Sequence, residues 1–324
     1  LNRPARLARG AGILTLILVS LLVVVYMPEM TYHSRTLARM HNFAHMPLFV
    51  LVAVLLAAIW PGGLFRDGRP RPLPMLRLWL VAVMAGSLVE LMQARQGRFP
   101  ELFDVLSDGA GALVGLLLVI ARVSGRWRAV LAAITLVTGL FAYPMVLSAW
   151  DEAWAYRQFP LIADMEGRFQ ADRFGGAHSR LQRIADPEDT GNHVLEVRYL
   201  PGLFPRFDLR DLPRDWSPYS AFTFTAINPG PEPFFLLVRV DDIHHDNRPA
   251  DRYLLRLTLQ PGRHSIQIPL AAVATAPDTR PMDMTAIYQV IFYSYNLKED
   301  RVMLFDDFRL ESSTLPQGEA AGRS

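Results

Sequence analysis

Three groups of side chains in this 324-residue chain are of types that do chemistry. The first is His45, Glu90, Gln93, Asp104 and Asp108, inside or at the end of apolar runs, with Arg98 in the loop between two of them. In such a set Glu90 or Asp104 suits a general base, His45 an acid or base, and Arg98 a holder of anionic groups. His41 and His45, four residues apart, would share a helix face and could bind a transition metal with a carboxylate. The second group lies around the segment VDDIHHDNRPADRY (240–253). There Asp242, His245, Asp251 and Arg252, with the rings of Trp216 and Tyr219, offer donors, acceptors and stacking faces for a polyhydroxylated ligand. The third is Asp306 in VMLFDDFRL, with Asp164 or Glu166 as co-ligands for a structural calcium ion. Each group also has a plainer reading: an ion-pair lock between helices, a solvated loop, and a hydrogen-bonded aspartate at a strand end.

Composition narrows the chemistry further. With no cysteine, a disulfide scaffold, a Cys-ligated zinc site and a thiol nucleophile are excluded. No nucleophile elbow, phosphate loop or established metal motif is present. The net charge of +2 hides two opposed halves. Residues 1–150 carry 14 Arg and 6 acids, or +8; residues 151–324 carry 19 Lys and Arg against 25 acids, or −6. The basic half is also the apolar one, which argues against a nucleic-acid partner.

The elements that must position the first group are membrane spans. Apolar runs at about 11–27, 43–60, 76–93, 105–121 and 129–149 predict a five-helix transmembrane bundle in a lipid bilayer. Arginines before the first run resemble a signal peptide, but VVVYMPEM has no small-residue cleavage site, so an uncleaved anchor is expected. One set of flanks holds Arg3, Arg6, Arg9, Arg66, Arg69, Arg71, Arg77, Arg122, Arg126 and Arg128; the other holds Arg35, Arg39, Arg95 and Arg98. Ten against four predicts a cytoplasmic N-terminus and an extracytoplasmic second half. On this topology the first group gathers at the outer face. A charge at membrane depth costs roughly 2.5–3.5 kcal/mol, so Glu90 and Asp108 need a partner or a cavity.

Helical spacing tightens that group. Asp104, Asp108, Gly111 and Gly115 form one stripe, and Gly86, Glu90 and Gln93 form another. The GxxxG pair Gly111/Gly115 allows close helix approach; the simplest packing sets it against Gly86, with the carboxylates beside Arg98. His45, ELMQ (90–93), Gly97-Arg98 and DVLSDGAGALVG (104–115) together resemble the VanZ-like family of small membrane proteins over about residues 35–122. His45, Glu90, Gln93, Arg98, Asp104, Gly111 and Gly115 match its pattern. Asp108 stands where the family usually has Asn, and His41 and Asn42 stand near its usual Asp-Lys. The resemblance implies a role in the bacterial cell envelope, at the inner (cytoplasmic) membrane.

After Trp150 the period changes to two. HVLEVRYL (193–200), YSAFTFTAI (219–227), FFLLVRVD (234–241), RYLLRLTL (252–259), RHSIQIPL (263–270), IYQVIFYSYN (287–296) and VMLFDDFRLE (302–311) read as strands, with NPGPE and QPGR as turns. Eight or nine strands without intervening helices predict a β-sandwich of jelly-roll type over 157–311. Strict alternation puts Asp306 on the face of Val302, Leu304, Phe308 and Leu310, pointing into the core. The run of segments over roughly 160–311 resembles galactose-binding-like, carbohydrate-binding jelly rolls. The resemblance implies sugars stacked on aromatics and bonded to Asp and Arg. Residues 312–324 read as a disordered polar tail.

The whole is an α + β multidomain chain: a membrane bundle followed by a periplasmic all-β module. The leading expectation is a cell-envelope protein acting on or with surface polysaccharide or lipid-linked glycan. An enzyme acting through the first group on a lipid-linked phosphate or sugar, and a plain membrane-anchored scaffold, are the alternatives.

Overall fold

The structure, a computed structural model, describes residues 3–26, 34–60, 63–95, 102–209 and 212–312, with the side chains of 3–7 and 24 left aside. Arg98 and the tail from residue 313 lie outside the described residues. The chain divides into two compact units, residues 1–150 and 151–324.

In the first unit all five apolar runs are helical: α1 (Arg3–Tyr26), α2 (Arg35–Ile59), α3 (Pro72–Ala94), α4 (Leu102–Ser124) and α5 (Trp127–Gln158). Helices α2 to α5 are long and apolar enough to cross a membrane. The apolar stretch in α1, Ala8–Val23, is shorter, so four spans rather than five meet the length criterion among the described residues. Local chemistry sets the ends. The Ser34 hydroxyl caps α2 by accepting from the Leu37 N–H at 3.2 Å, and Pro72 opens α3. Before α3, strands β1 (Phe65–Arg66) and β2 (Arg69–Pro70) form a small hairpin. It turns on Asp67-Gly68, both at positive φ (51° and 72°), the preferred chemistry of a two-residue turn.

Helix packing follows the small residues, with a partner other than the one expected. A Cβ at Gly111 would strike the Met46 carbonyl oxygen of α2, and one at Gly115 would lie 2.7 Å from the Val50 carbonyl oxygen. The GxxxG face of α4 therefore seats α2, not Gly86 of α3. Gly86 makes room instead for a side chain, because a Cβ there would land on Asp108 Oδ2. The tight α2–α4 approach buries Phe49, Val52, Ala53, Ala112 and Leu116, with Leu78 and Ala82 of α3 against them.

The last turns of α5, from Asp151, belong to the second unit. Its strands are β3 (Leu161–Ala163), β4 (Phe174–Ala177), β5 (Ser179–Ala185), β6 (His193–Tyr199), β7 (Arg206–Leu209), β8 (Ala221–Asn228), β9 (Phe234–Asp242), β10 (Tyr253–Leu259), β11 (Gly262–Pro269), β12 (Ile287–Tyr293) and β13 (Arg301–Glu311), with a short α6 (Leu270–Ala274). They make two sheets, in the orders β10-β9-β12-β7-β4 and β11-β8-β13-β6-β5, with β3 also paired to β13. All pairs are antiparallel and most connections cross from one sheet to the other, as in the expected jelly-roll sandwich. Between the sheets lies an aromatic core of Phe207, Phe222, Phe224, Phe234, Phe292, Phe305 and Phe308, with Trp216.

One strand departs from strict alternation. A bulge in β13 between Asp306 and Arg309, with Asp307 at φ 54°, shifts the register against β8. Met303, Phe305, Phe308 and Leu310 consequently face the core, while Leu304 and Val302 join Val194 and Ile227 in a cluster on the outer side. Asp306 is buried as expected, at 3% exposure, but on that outer side and not in the aromatic core.

Candidate functional site

Helices α2, α3 and α4 bring His45, Glu90, Gln93, Asp104 and Asp108 into the interior of the helical unit, where all five are buried. Ligand atoms of His45, Glu90 and Asp104 lie within 4.8 Å of one another. His45 Nδ1 is 3.1 Å from Asp108 Oδ1. Asp108 is wholly buried, its second oxygen lies over Gly86, and that oxygen makes no hydrogen bond among the described residues. Trp79 fastens α3 to α4 beside it, its Nε1 donating to the Gly109 carbonyl at 2.8 Å. A cavity of about 350 Å³ is lined by Arg39, Asn42, Phe103, Phe141, Pro144 and Met145, one cation and one amide among apolar side chains. His41 meets His45 edge to face at 6.2 Å, and the grouping that could hold an ion uses His45 with the two carboxylates.

The residues singled out in the second unit mostly have structural tasks. Trp216 is wholly buried and its Nε1 donates to the Pro213 carbonyl at 3.0 Å, so its ring is in the core and offers no stacking face. Tyr219 packs edge-on against Phe159 at 5.4 Å. Asp242 and Asp251 are joined by Arg280, which ion-pairs with both; its contact with Asp251 Oδ1 is 2.9 Å. Burial pushes the Asp242 carboxyl up, but Arg280 and the backbone N–H groups of Asp283 and His244 outweigh it and hold it below the usual carboxylate range. His245 stacks on Tyr288 at 5.5 Å, and Arg252 is half-buried beside the loop. The dense polarity of 240–253 is a loop clamped by one arginine.

Asp306, Asp164 and Glu166 likewise have separate partners. Asp306 accepts from Asn192 Nδ2 at 3.0 Å and from the Asp307 N–H at 2.7 Å. Asp164 accepts from Gln170 Nε2 at 2.9 Å, and Glu166 binds the His193 N–H at 2.8 Å. Among the described residues these three do not form a group close enough to hold one ion. Burial pushes the Asp306 carboxyl up to about 6.

A different surface of the sandwich combines rings with hydrogen-bonding groups. Leu236, Val238, Val240, Val290, Phe292, Phe207 and Leu209 turn the inner face of the five-stranded sheet to the core. The alternate residues lie on the opposite side of the sheet, in register: Arg206 beside Tyr293 beside Leu237, Asp208 beside Ile291 beside Arg239, and Gln289 beside Asp241. Of these Leu237, Ile291, Asp208, Gln289 and Asp241 are buried, and Arg206, Arg239 and Tyr293 are half-buried. Arg239 Nε and Gln289 Nε2 donate to the two oxygens of Asp241, at 2.8 and 2.7 Å. Gly175 leaves the space that Asp208 Oδ1 fills, since a Cβ there would lie 2.6 Å from it. At the Tyr293 end the rings of Phe204 and Tyr295 follow, 6.4 and 5.4 Å apart in sequence of contact, and both are about half exposed. The outer face of the other sheet has a groove of about 300 Å³ lined by Thr223, Thr225, Ser265, Gln267, Asp307 and Arg309, where the one ring, Phe224, belongs to the core.

This outward face was missed in the sequence, although its signal is present. FFLLVRVDD and IYQVIFY alternate apolar with Arg239/Asp241 and Gln289/Tyr293, but which strands pair cannot be read from the alternation.

No family model matches the chain, and no curated protein matches it. Among solved structures it is similar to a family 11 carbohydrate-binding module from Clostridium thermocellum in complex with a β-1,3-1,4-mixed-linked tetrasaccharide, at 15% identity and TM-score 0.38, over 47% of this chain and 94% of that one. It is similar to an exo-β-agarase at 12% identity and TM-score 0.38, over 47% of this chain and 25% of that one. A family 30 carbohydrate-binding module of a Clostridium thermocellum cellulosomal cellulase is similar at 15% identity and TM-score 0.32, over 44% of this chain and 91% of that one.

Proposed function

We propose that this chain is a membrane-anchored glycan-binding protein of the bacterial cell envelope, its sandwich extracytoplasmic and its helical unit VanZ-like. The observation that carries the reading is the outward face of the five-stranded sheet. Sugars present apolar C–H faces and rings of hydroxyls. An aromatic edge (Tyr293, Phe204, Tyr295) continuing into the half-buried Arg206 and Arg239 suits both. The rings at one end would take the sugar faces, and the two arginines would bond the hydroxyls. The amphipathic cavity beside Arg39 favours a lipid-linked glycan among possible ligands, since it pairs a cation with apolar rings. The arginine bias of the flanks supports a cytoplasmic N-terminus and an outer sandwich.

The test is a glycan array probed with the full chain in lipid nanodiscs. Tyr293→Ala and Arg239→Ala should each lose at least tenfold in affinity for whichever glycan binds, while Gln267→Ala on the other sheet should not. Binding that survives both outward-face variants would move the site elsewhere. An array with no bound glycan would overturn the reading. A reporter fused after Ser324 that is active only in the cytoplasm would overturn the orientation.

A further inference from the structure

We propose that His45, Glu90 and Asp104 form a binding site for a divalent transition-metal ion of the zinc class inside the helical unit, with Asp108 as a positioning residue. The site is separate from the glycan-binding reading and stands or falls without it.

The three residues come from three helices, α2, α3 and α4, and all are buried, at 4%, 4% and 8% exposure. Their ligand atoms lie within 4.8 Å of one another, a separation that one central ion at ordinary metal–ligand lengths of about 2.0–2.2 Å closes with small side-chain movement. The donor set is one imidazole and two carboxylates with no thiolate. That favours zinc or a neighbouring divalent ion over copper(I) or an iron–sulfur cluster, and three protein ligands leave a coordination position for water or an anionic oxygen.

The second observation is the support behind the histidine. Asp108 Oδ1 lies 3.1 Å from His45 Nδ1 in a wholly buried position. A proton on Nδ1 donated to that carboxylate leaves Nε2 with its lone pair for the metal, the carboxylate–histidine–metal arrangement that fixes both tautomer and ring orientation. The carboxylate is held there by shape, because Gly86 is the residue that leaves room for Asp108. A mere lock between helices needs one pair. Here one carboxylate, Asp108, contacts the ring while two others, Glu90 and Asp104, each place an oxygen within 4.8 Å of a ring nitrogen.

The experiment uses the full chain purified in detergent, stripped with chelator and titrated with Zn²⁺. Metal content is read by mass spectrometry, and Co²⁺ replaces zinc to give a visible spectrum. One Zn²⁺ per chain is expected, with a cobalt spectrum of low-symmetry nitrogen and oxygen ligation. Glu90→Gln and His45→Ala should lose the bound ion, and Asp108→Asn should weaken it about 10–100-fold. Mg²⁺ should not compete. Helical circular dichroism and a single gel-filtration peak certify each variant. If His45→Ala does not fold, the wild-type cobalt spectrum still decides, since an absent spectrum rejects the site. Zinc held equally by the folded Glu90→Gln variant would place the ion elsewhere and also overturn the proposal.

Discussion

Two wholly buried aspartates, one in each unit, are treated differently by their surroundings. Asp242 in the sandwich meets the Arg280 guanidinium and two backbone N–H groups, so its charge is matched by donors from a loop. Asp108 in the helical unit meets an imidazole, and its other oxygen makes no hydrogen bond among the described residues. The difference has a backbone cause. A sandwich loop can turn its N–H groups toward a carboxylate, whereas a helix interior has committed its own to the carbonyls four residues back. Polar groups inside the bundle must therefore satisfy one another or an added ligand. In the sandwich they close loops. Buried polarity by itself does not mark a site; the kind of partner does.

The largest expected effect comes from the sandwich unit. Arg173 and Asp151 are both buried and joined by two bonds, Nε to Oδ2 at 3.0 Å and NH2 to Oδ1 at 2.8 Å. Arg173→Ala removes the guanidinium from a buried carboxylate and should cost about 3–5 kcal/mol, seen as a lowered denaturation midpoint of the tryptophan fluorescence transition. Arg173→Lys should rescue little, because an ammonium cannot make the fork. Next, Arg280→Ala should cost about 2–4 kcal/mol, less than a fully buried pair because Arg280 is 27% exposed. If that variant is as stable as wild type, the loop of 240–253 is not clamped and its residues return as ligand candidates. In the helical unit, Asp108→Ala removes the hydrogen-bond partner at His45 Nδ1 and should cost about 1–3 kcal/mol of thermal stability in detergent. A loss as large as that of Arg173 would erase the contrast between the two units.

How much of this was legible depends on the range of the signal. The helices were, because each is one continuous apolar run, and so was the convergence of His45, Glu90 and Asp104 on one end of antiparallel neighbours. The partner of Gly111 and Gly115 was not: small residues announce a close approach without naming which helix makes it. Seven strands were legible from period two, but the short or polar β3, β4, β5 and β7 were not, nor was the hairpin at 67–68, which rests on turn chemistry alone. Asp306 was placed on the wrong face because alternation was carried across Asp307, whose positive φ breaks it. Trp216 was taken for a ligand-binding ring because the resemblance to carbohydrate-binding jelly rolls implies aromatic stacking, yet it fills the core. The clamp on Asp242 escaped notice because its arginine lies 38 residues away.

Asp306 gives the smallest effect and the one of opposite sign. Burial raises its pKa to about 6 from an ordinary 3.8, outweighing the Asn192 and Asp307 N–H donors, and neighbouring Asp307 and Asp164 add to the rise. Between those two values the folded chain keeps a proton that the unfolded chain releases. Stability therefore falls as pH rises through that window and is level above it. Asp306→Asn removes the charge while keeping an acceptor for Asn192. It should stabilise the sandwich by about 1–2 kcal/mol near pH 7.5, less than the shift alone implies since the lost donor contacts favoured the ion, and by little near pH 4.5. Melting curves of wild type and variant at both pH values, with chelator and with excess calcium, decide it. Destabilisation by the substitution together with a calcium-dependent melting temperature would restore a cation at Asp306 and make this carboxylate resemble those of the helical unit. A gain confined to neutral pH, indifferent to chelator, would leave Asp306 as an uncompensated charge in a strand bulge.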